Sequence, residues 1–336
     1  MAILYDGKGN QYIIKEANGD SGTNELTYTG LSTTWLANAE TSYNSLKQEV
    51  ESLSYDAVPF FIQTDLHGRN NSPARWLHNK DKTIKNINLG DIVTDYYNET
   101  ENTNYRESAM PVANIITVFG NHEANKVGSD IPTGYGLNYY YTDTTKGARM
   151  VNQRGFFTVR DDKYNVKYVV ISPYYMELDG SRNGVCVNTD QMTWLLNELS
   201  GNDGYDIIIL MHQLFTDTHY NRSGTVQNWQ DAPVVLENLW NMIKNRRNKG
   251  SGTITDSDNV QHSYDFSTVK SRYLGSLHGH AHEELMLTEN NTTAYAADWY
   301  GNENSCTFGV FDRKNNKLKI WKFGNTGVQD VLTLDI

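Results

Sequence analysis

Five times along this chain an apolar run of strand length ends directly in a polar loop that carries His, Asp or Asn. Residues 58–63 lead to Asp65 and His67, and residues 87–89 lead to Asp91. Residues 115–119 lead to Asn121 and His122, 207–211 to His212, and 273–277 to His280 and His282. Short apolar runs bounded by turn-forming residues read as buried strands. Helical periodicity lies before and between them, over 35–53, 190–199 and 233–245; in the first of these Trp35, Leu36, Tyr43, Leu46, Val50 and Leu53 fall near one face. Strands alternating with helices predict an α/β sheet. Ligands of such sheets gather at the carboxyl ends of the strands, which is where all five polar loops fall. A single His after a strand is ordinarily a surface or hydrogen-bonded residue. Five such loops in succession, all at one end of a sheet, have no structural reason to be metal-compatible.

The rest of the chain narrows the field. Its 336 residues allow one large domain or two modest ones. We divide it into an N-terminal hairpin and polar appendage, 1–33, and a main domain, 34–336. A formal charge of −11 and the lack of a dense basic run argue against a grip on long nucleic acid, which needs Lys and Arg to neutralise phosphates. The basic stretch 244–249 reads as the polar end of a helix. Cys186 and Cys306 are the only two cysteines, too few for a disulfide framework or a thiolate zinc site. The N-terminus lacks a basic segment followed by an apolar stretch, so no secretion signal is expected. The longest apolar run, 207–211, is too short for a bilayer. A soluble protein, cytoplasmic or associated with a virion, is the expectation, with no membrane partner.

Seven N and O donors at the strand ends suit two five- or six-coordinate cations if one carboxylate bridges them. Mixed imidazole and carboxylate donors favour Mn, Fe or Zn over Ca. The ordered blocks Asp65-Leu66-His67, Gly90-Asp91, Gly120-Asn121-His122-Glu123, Met211-His212 and Gly279-His280-Ala281-His282 resemble the signature of the calcineurin-like metallophosphoesterase superfamily. That signature runs D-x-H, GD, GNH[D/E], H and GHxH, and the resemblance extends over about residues 58–323. It implies a four-layer αββα sandwich and two divalent metal ions. Asp65, His67 and His282 would hold one ion, Asn121, His212 and His280 the other, with Asp91 between them. His122 would stabilise the transition state or protonate the leaving oxygen, and the expected reaction is in-line hydrolysis of a phosphate ester.

Some positions depart from named branches. Phosphoprotein phosphatases carry a second Asp and an Arg after the GD block. Here Thr94 stands at the Asp offset, Asp95 comes one place later, and Tyr96 follows. Asp95 is therefore a candidate to orient His122, and the missing Arg excludes that branch. The motif string is closest to small bacterial and cyclic-nucleotide phosphodiesterases. His278 reads as a supporting or surface residue; His78, His219 and His262 read as structural or exposed. Tyr139, Tyr140 and Tyr141 read as strand packing, and residues 248–267 as a hairpin insertion lipping the cleft. The expected substrate is a small phosphodiester. A phosphomonoesterase of nucleotides or sugar phosphates is the alternative enzyme, and an accessory module of a larger assembly the alternative class. The partner of residues 1–33 is left open.

Overall fold

The computed structural model describes residues 2–5, 11–14, 25–69, 71–94, 98–109, 111–123, 155–173, 185–228, 233–301 and 304–336. Asp95 and the run Tyr139, Tyr140, Tyr141 lie outside them. Five helices are described: α1 (Thr33–Leu53), α2 (Ser72–Lys80), α3 (Glu99–Ala109), α4 (Thr189–Ser200) and α5 (Val234–Arg247). The expected helices over 35–53, 190–199 and 233–245 are α1, α4 and α5, each within two residues at either end. Capping explains two of the starts. The Ser32 hydroxyl accepts the Trp35 N–H at 3.0 Å, and the Asn188 side chain accepts the Gln191 N–H at 3.0 Å, each satisfying a donor the first turn leaves unpaired.

Two large sheets stand face to face. The first is built on β3 (Ala57–Gln63), β4 (Lys85–Asn88) and β5 (Ile115–Thr117), which run parallel. Next to β3 it continues antiparallel through β16 (Cys306–Asp312) and β17 (Lys317–Gly324), with the short β18 (Gly327–Val328) and β19 (Leu332–Asp335) on β17. The strands of the second are β6 (Phe157–Asp161), β7 (Val166–Val170), β8 (Asp206–Leu210), β9 (Thr218–Asn221), β10 (Val226–Asn228), β13 (Tyr273–His278), β14 (Leu285–Glu289) and β15 (Thr292–Ala296). They stand in the order β10-β9-β14-β15-β13-β8-β7-β6. In it β7, β8, β13 and β15 are parallel. Two hairpins form separate two-stranded sheets, β1 (Ala2–Tyr5) with β2 (Gln11–Ile14), and β11 (Ser251–Thr255) with β12 (Gln261–Asp265).

Three apolar layers make this a four-layer αββα sandwich. Phe60 and Ile62 of β3 point between the sheets, where they meet Tyr168, Leu210 and Leu277. Phe61, on the opposite face, packs with Trp35 and Leu46 of α1 and Trp76 of α2. Likewise Ile208 and Leu210 of β8 face the other sheet, while Ile207 and Ile209 pack on Leu195 of α4 and Trp240 of α5. Strands buried on both faces read as continuous apolar runs, and that is why these segments lack alternation. Residues just before α1 are tied to this body: Leu26 exchanges two hydrogen bonds with the Asn79 side chain, and Thr29 N–H donates to Ser72 Oγ. The hairpin at 251–265 lies against α5, and its tip binds the start of α4 through Asp256 and Asp258. No helix among the described residues is long and apolar enough to cross a membrane.

Candidate metal centre

The parallel strands of both sheets end on the same side, and their loops form one site. Loop 64–69 follows β3, 89–94 follows β4, 118–123 follows β5, 211–215 follows β8 and 279–283 follows β13. Backbone bonds extend the ladder past the strand ends: Asp65 N–H donates to Gly90 O (2.9 Å), His67 N–H to Asp91 O (2.9 Å) and Gly279 N–H to His212 O (3.1 Å). Two glycines allow this closeness. A Cβ on Gly120 would lie 2.1 Å from Asp91 Oδ1, and one on Gly279 would lie 2.2 Å from Thr64 Oγ1. Five of the side chains expected at the site sit on left-handed backbone: Asp65, His67, Asp91, His280 and His282 have φ between 43° and 70°. Such φ values are rare outside Gly, Asn and Asp and concentrate where function imposes them.

All seven expected ligands converge. The ligand atoms of Asp65, His67, Asp91 and His282 lie within 4.8 Å of one another, and so do those of Asp91, His212 and His280. Asn121 completes the second group, its Oδ1 standing 3.1 Å from His212 Nε2 and 3.0 Å from His280 Nδ1.

The donor chemistry fits cations. Asp65 is fully buried, and its Oδ1 has no hydrogen-bond donor; His282 Nε2 faces it at 3.2 Å. The other oxygen, Oδ2, is held by Thr64 Oγ1 at 2.6 Å and the His280 N–H at 3.2 Å. His67 Nε2 and His282 Nε2 point at each other across 3.2 Å. Two imidazole lone pairs so close repel unless a proton or a cation lies between them. His212 uses its Nδ1–H on the Leu89 carbonyl, 2.7 Å away. A neutral His212 then turns a lone pair toward two further acceptors, Asn121 Oδ1 and Asp91 Oδ2, the latter at 3.3 Å. Burial opposes charge on His212, yet Asp91 beside it carries the imidazole up to about 9. Burial likewise opposes ionisation of Asp91, but His212 and His122 hold its carboxyl well below the usual carboxylate range. This pocket demands positive charge, and imidazole nitrogens facing carboxylate oxygens are what Mn, Fe or Zn ions bind.

His122 stands beside His67 and Asp91 without joining either group of converging side chains. Its ring meets His67 edge-on at 4.6 Å between centroids, and its Nε2 lies 3.8 Å from Asp91 Oδ2. Its Nδ1 bonds the Thr94 carbonyl oxygen. The orienting partner described for His122 is thus a backbone group, with Asp95 outside the described residues. Thr94 is itself held by Glu101, whose carboxylate accepts its N–H at 2.6 Å and its hydroxyl at 3.2 Å.

Glu123 carries more than the sequence motif conveys. Its buried carboxylate accepts the N–H groups of Asp91 (2.8 Å), Ile92 (2.6 Å), Val93 (3.0 Å) and Gly120 (2.8 Å), tying two ligand loops together. Burial pushes its carboxyl upward and the Asp91 carboxylate adds to the rise, while the Val93 and Gly120 N–H groups oppose it and, with both oxygens already accepting, favour the carboxylate. Trp299 had no motif to mark it. Its indole stacks on His282, centroids 4.5 Å apart and planes at 8°, and meets His67 edge-on at 5.8 Å. The Arg69 guanidinium lies 5.2 Å from the centroid of the same indole. His278 is buried, its Nδ1 on the Gln213 carbonyl and its Nε2 on Ser276 Oγ, and burial pushes it down to about 3. It is a neutral support beneath the 279–282 turn.

The chain matches no protein-family model and no curated protein sequence. Among solved structures it is similar to PhoD, with a TM-score of 0.47 and 11% identity over 83% of this chain and 72% of that one. It is also similar to a conserved uncharacterized protein from Streptococcus pneumoniae described as a predicted phosphoesterase (TM-score 0.34, 8% identity, 83% and 98% coverage). A third is the phosphopantetheinyl hydrolase of Mycobacterium tuberculosis (TM-score 0.36, 15% identity, 71% and 89% coverage). What the site can do follows from its own side chains.

Proposed function

We propose that the chain is a metal-dependent phosphoesterase that holds two divalent cations and hydrolyses a small phosphodiester. The observation that carries this is Asp91, a single carboxylate common to two groups of converging ligand atoms. Asp65, His67 and His282 would hold one ion and Asn121, His212 and His280 the other, with Asp91 shared. Two such ions, when bound, make water acidic enough to act as a nucleophile at neutral pH and neutralise charge on phosphoryl oxygens. The chain itself supplies position and proton transfer. With its Nδ1 proton on the Thr94 carbonyl, His122 in its imidazolium form would present a second proton, on Nε2, to the site, where it can pass to a departing alkoxide.

The diester preference is supported by the lack of the second Asp and Arg of the phosphoprotein phosphatases, since no Arg follows Asp95 to meet the extra charge of a monoester. A chain of net charge −11 also repels long polyanions more than small ligands, so duplex DNA is a poor substrate. The test is elemental analysis combined with turnover. Protein supplied with Mn, Fe or Zn should bind two ions, Asp91→Ala should weaken both sites, and His67→Ala should mainly weaken one. Bis-p-nitrophenyl phosphate should be cleaved faster than p-nitrophenyl phosphate. No metal uptake would end the reading, whereas faster monoester cleavage would overturn only the diester preference.

A further inference from the structure

Arg69 stands beside the candidate metal centre and takes no part in either group of converging side chains. It stands two residues after His67, on the turn closed by its own N–H to the Leu66 carbonyl at 3.0 Å. Its side chain is exposed, yet it does not hang free. The guanidinium lies over Trp299, and that indole stacks in turn on His282. The space is kept by Gly301, where a Cβ would come within 2.5 Å of Arg69 Nη1 and 2.4 Å of the indole. Among the described residues Arg69 forms no ion pair. A cation over an aromatic face gives up rotamer freedom before any ligand arrives, and its planar donors suit carboxylate or phosphate oxygens.

We infer that Arg69, seated on Trp299, forms an anion subsite beside the metal centre and selects esters whose alcohol arm bears a second phosphate or carboxylate. This rests on the phosphoesterase reading and narrows it. The distances suit that division of labour. The guanidinium can be no farther from the His282 imidazole than the two ring separations, 4.5 and 5.2 Å, laid end to end. That spacing suits a substrate with its reacting phosphoryl group among the ligands and a second anion one short linker away.

The test is calorimetry on the full chain loaded with Mn, using two phosphonates that cannot be hydrolysed. Propylphosphonate and 3-phosphonopropionate have three-carbon chains of similar length and differ in the terminal carboxylate. The wild-type protein should bind 3-phosphonopropionate roughly tenfold more tightly, the usual worth of one charge-assisted pair. Arg69→Ala should bring that ratio close to one, and Arg69→Lys should keep an intermediate ratio, with metal content unchanged in both. The ratio isolates recognition, since a general loss of structure would weaken both ligands together. Equal affinity of the metal-loaded wild type for the two phosphonates overturns the subsite and leaves the metal reading standing. So does a preference that survives in Arg69→Ala. A chain that takes up no metal and binds neither phosphonate overturns both.

Discussion

His122 and Glu123 are neighbours in the chain with opposite surroundings. His122 faces the cavity and is fixed by one backbone carbonyl, whereas Glu123 faces inward and holds four backbone N–H groups. Their substitutions should therefore fail in different ways. His122→Ala should keep its metal content and lose roughly 10²–10⁴ in turnover, the usual worth of a positioned acid or base. Elemental analysis beside steady-state kinetics checks this, and loss of metal would make His122 a ligand. Glu123→Gln puts an amide NH₂ where only acceptors fit, orphaning buried donors at about 1–3 kcal/mol each. Its expected signature is a lower denaturation midpoint together with weaker metal retention, because the loops of Asp91 and Asn121 lose their common anchor. Chemical denaturation with and without metal would show both; an unchanged midpoint would remove Glu123 from the framework.

Among the elements, β7 shows how much a strand can hide. Val166, Tyr168 and Val170 face the other sheet and Val169 faces α4, so Lys167 is directed into the helical side. Its buried ammonium donates to the Glu198 carbonyl at 2.7 Å and to the Glu198 and Asp203 carboxylates at 3.2 Å, closing a helix end that has no basic residue of its own. Burial alone would raise Asp203, but Lys167, its hydrogen bonds and Arg160 hold its carboxyl below the usual range. A carboxyl depressed in the folded state contributes stability above its unfolded pKa of about 3.9 and loses it as pH falls through the lower folded value. The melting temperatures of wild type and Asp203→Asn should therefore differ at pH 6 and converge toward pH 2–3. A constant gap across that range would show that Asp203 acts through packing alone. The strand ends and the side chains that converge at them were legible in the sequence because buried strands and metal-compatible donors both impose residue types at fixed offsets. The Thr94 carbonyl was not, since any residue supplies one. Nor were Trp299 and Arg69, which are about 230 positions apart in the chain and meet only in the fold. Glu123 was visible as a motif letter, but its role depends on where four N–H groups point.

At the scale of the molecule, the centre joins the two sheets. Asp65, His67, Asp91 and Asn121 come from the loops of the first sheet, and His212, His280 and His282 from those of the second. Each ion bound there would help link the sheets across the core and add about 4 kcal/mol of stability at a thousandfold excess over its dissociation constant. Against that gain stands the backbone of the five residues with φ between 43° and 70°, costing of order 1–3 kcal/mol at each of the three histidines and less at Asp65 and Asp91 unless Gly stands there. His280→Gly, at φ 70°, should consequently melt a few degrees higher than wild type without metal and lower than wild type with metal saturating. Melting curves in chelator and in excess Mn check the crossing, and parallel shifts in the two conditions would deny it. The same five angles thus set ligand aim and fold stability against each other. A search for heat-tolerant variants conducted without metal would select against the centre, because at these five positions the mutations that relax the backbone remove the side chains proposed to hold the ions.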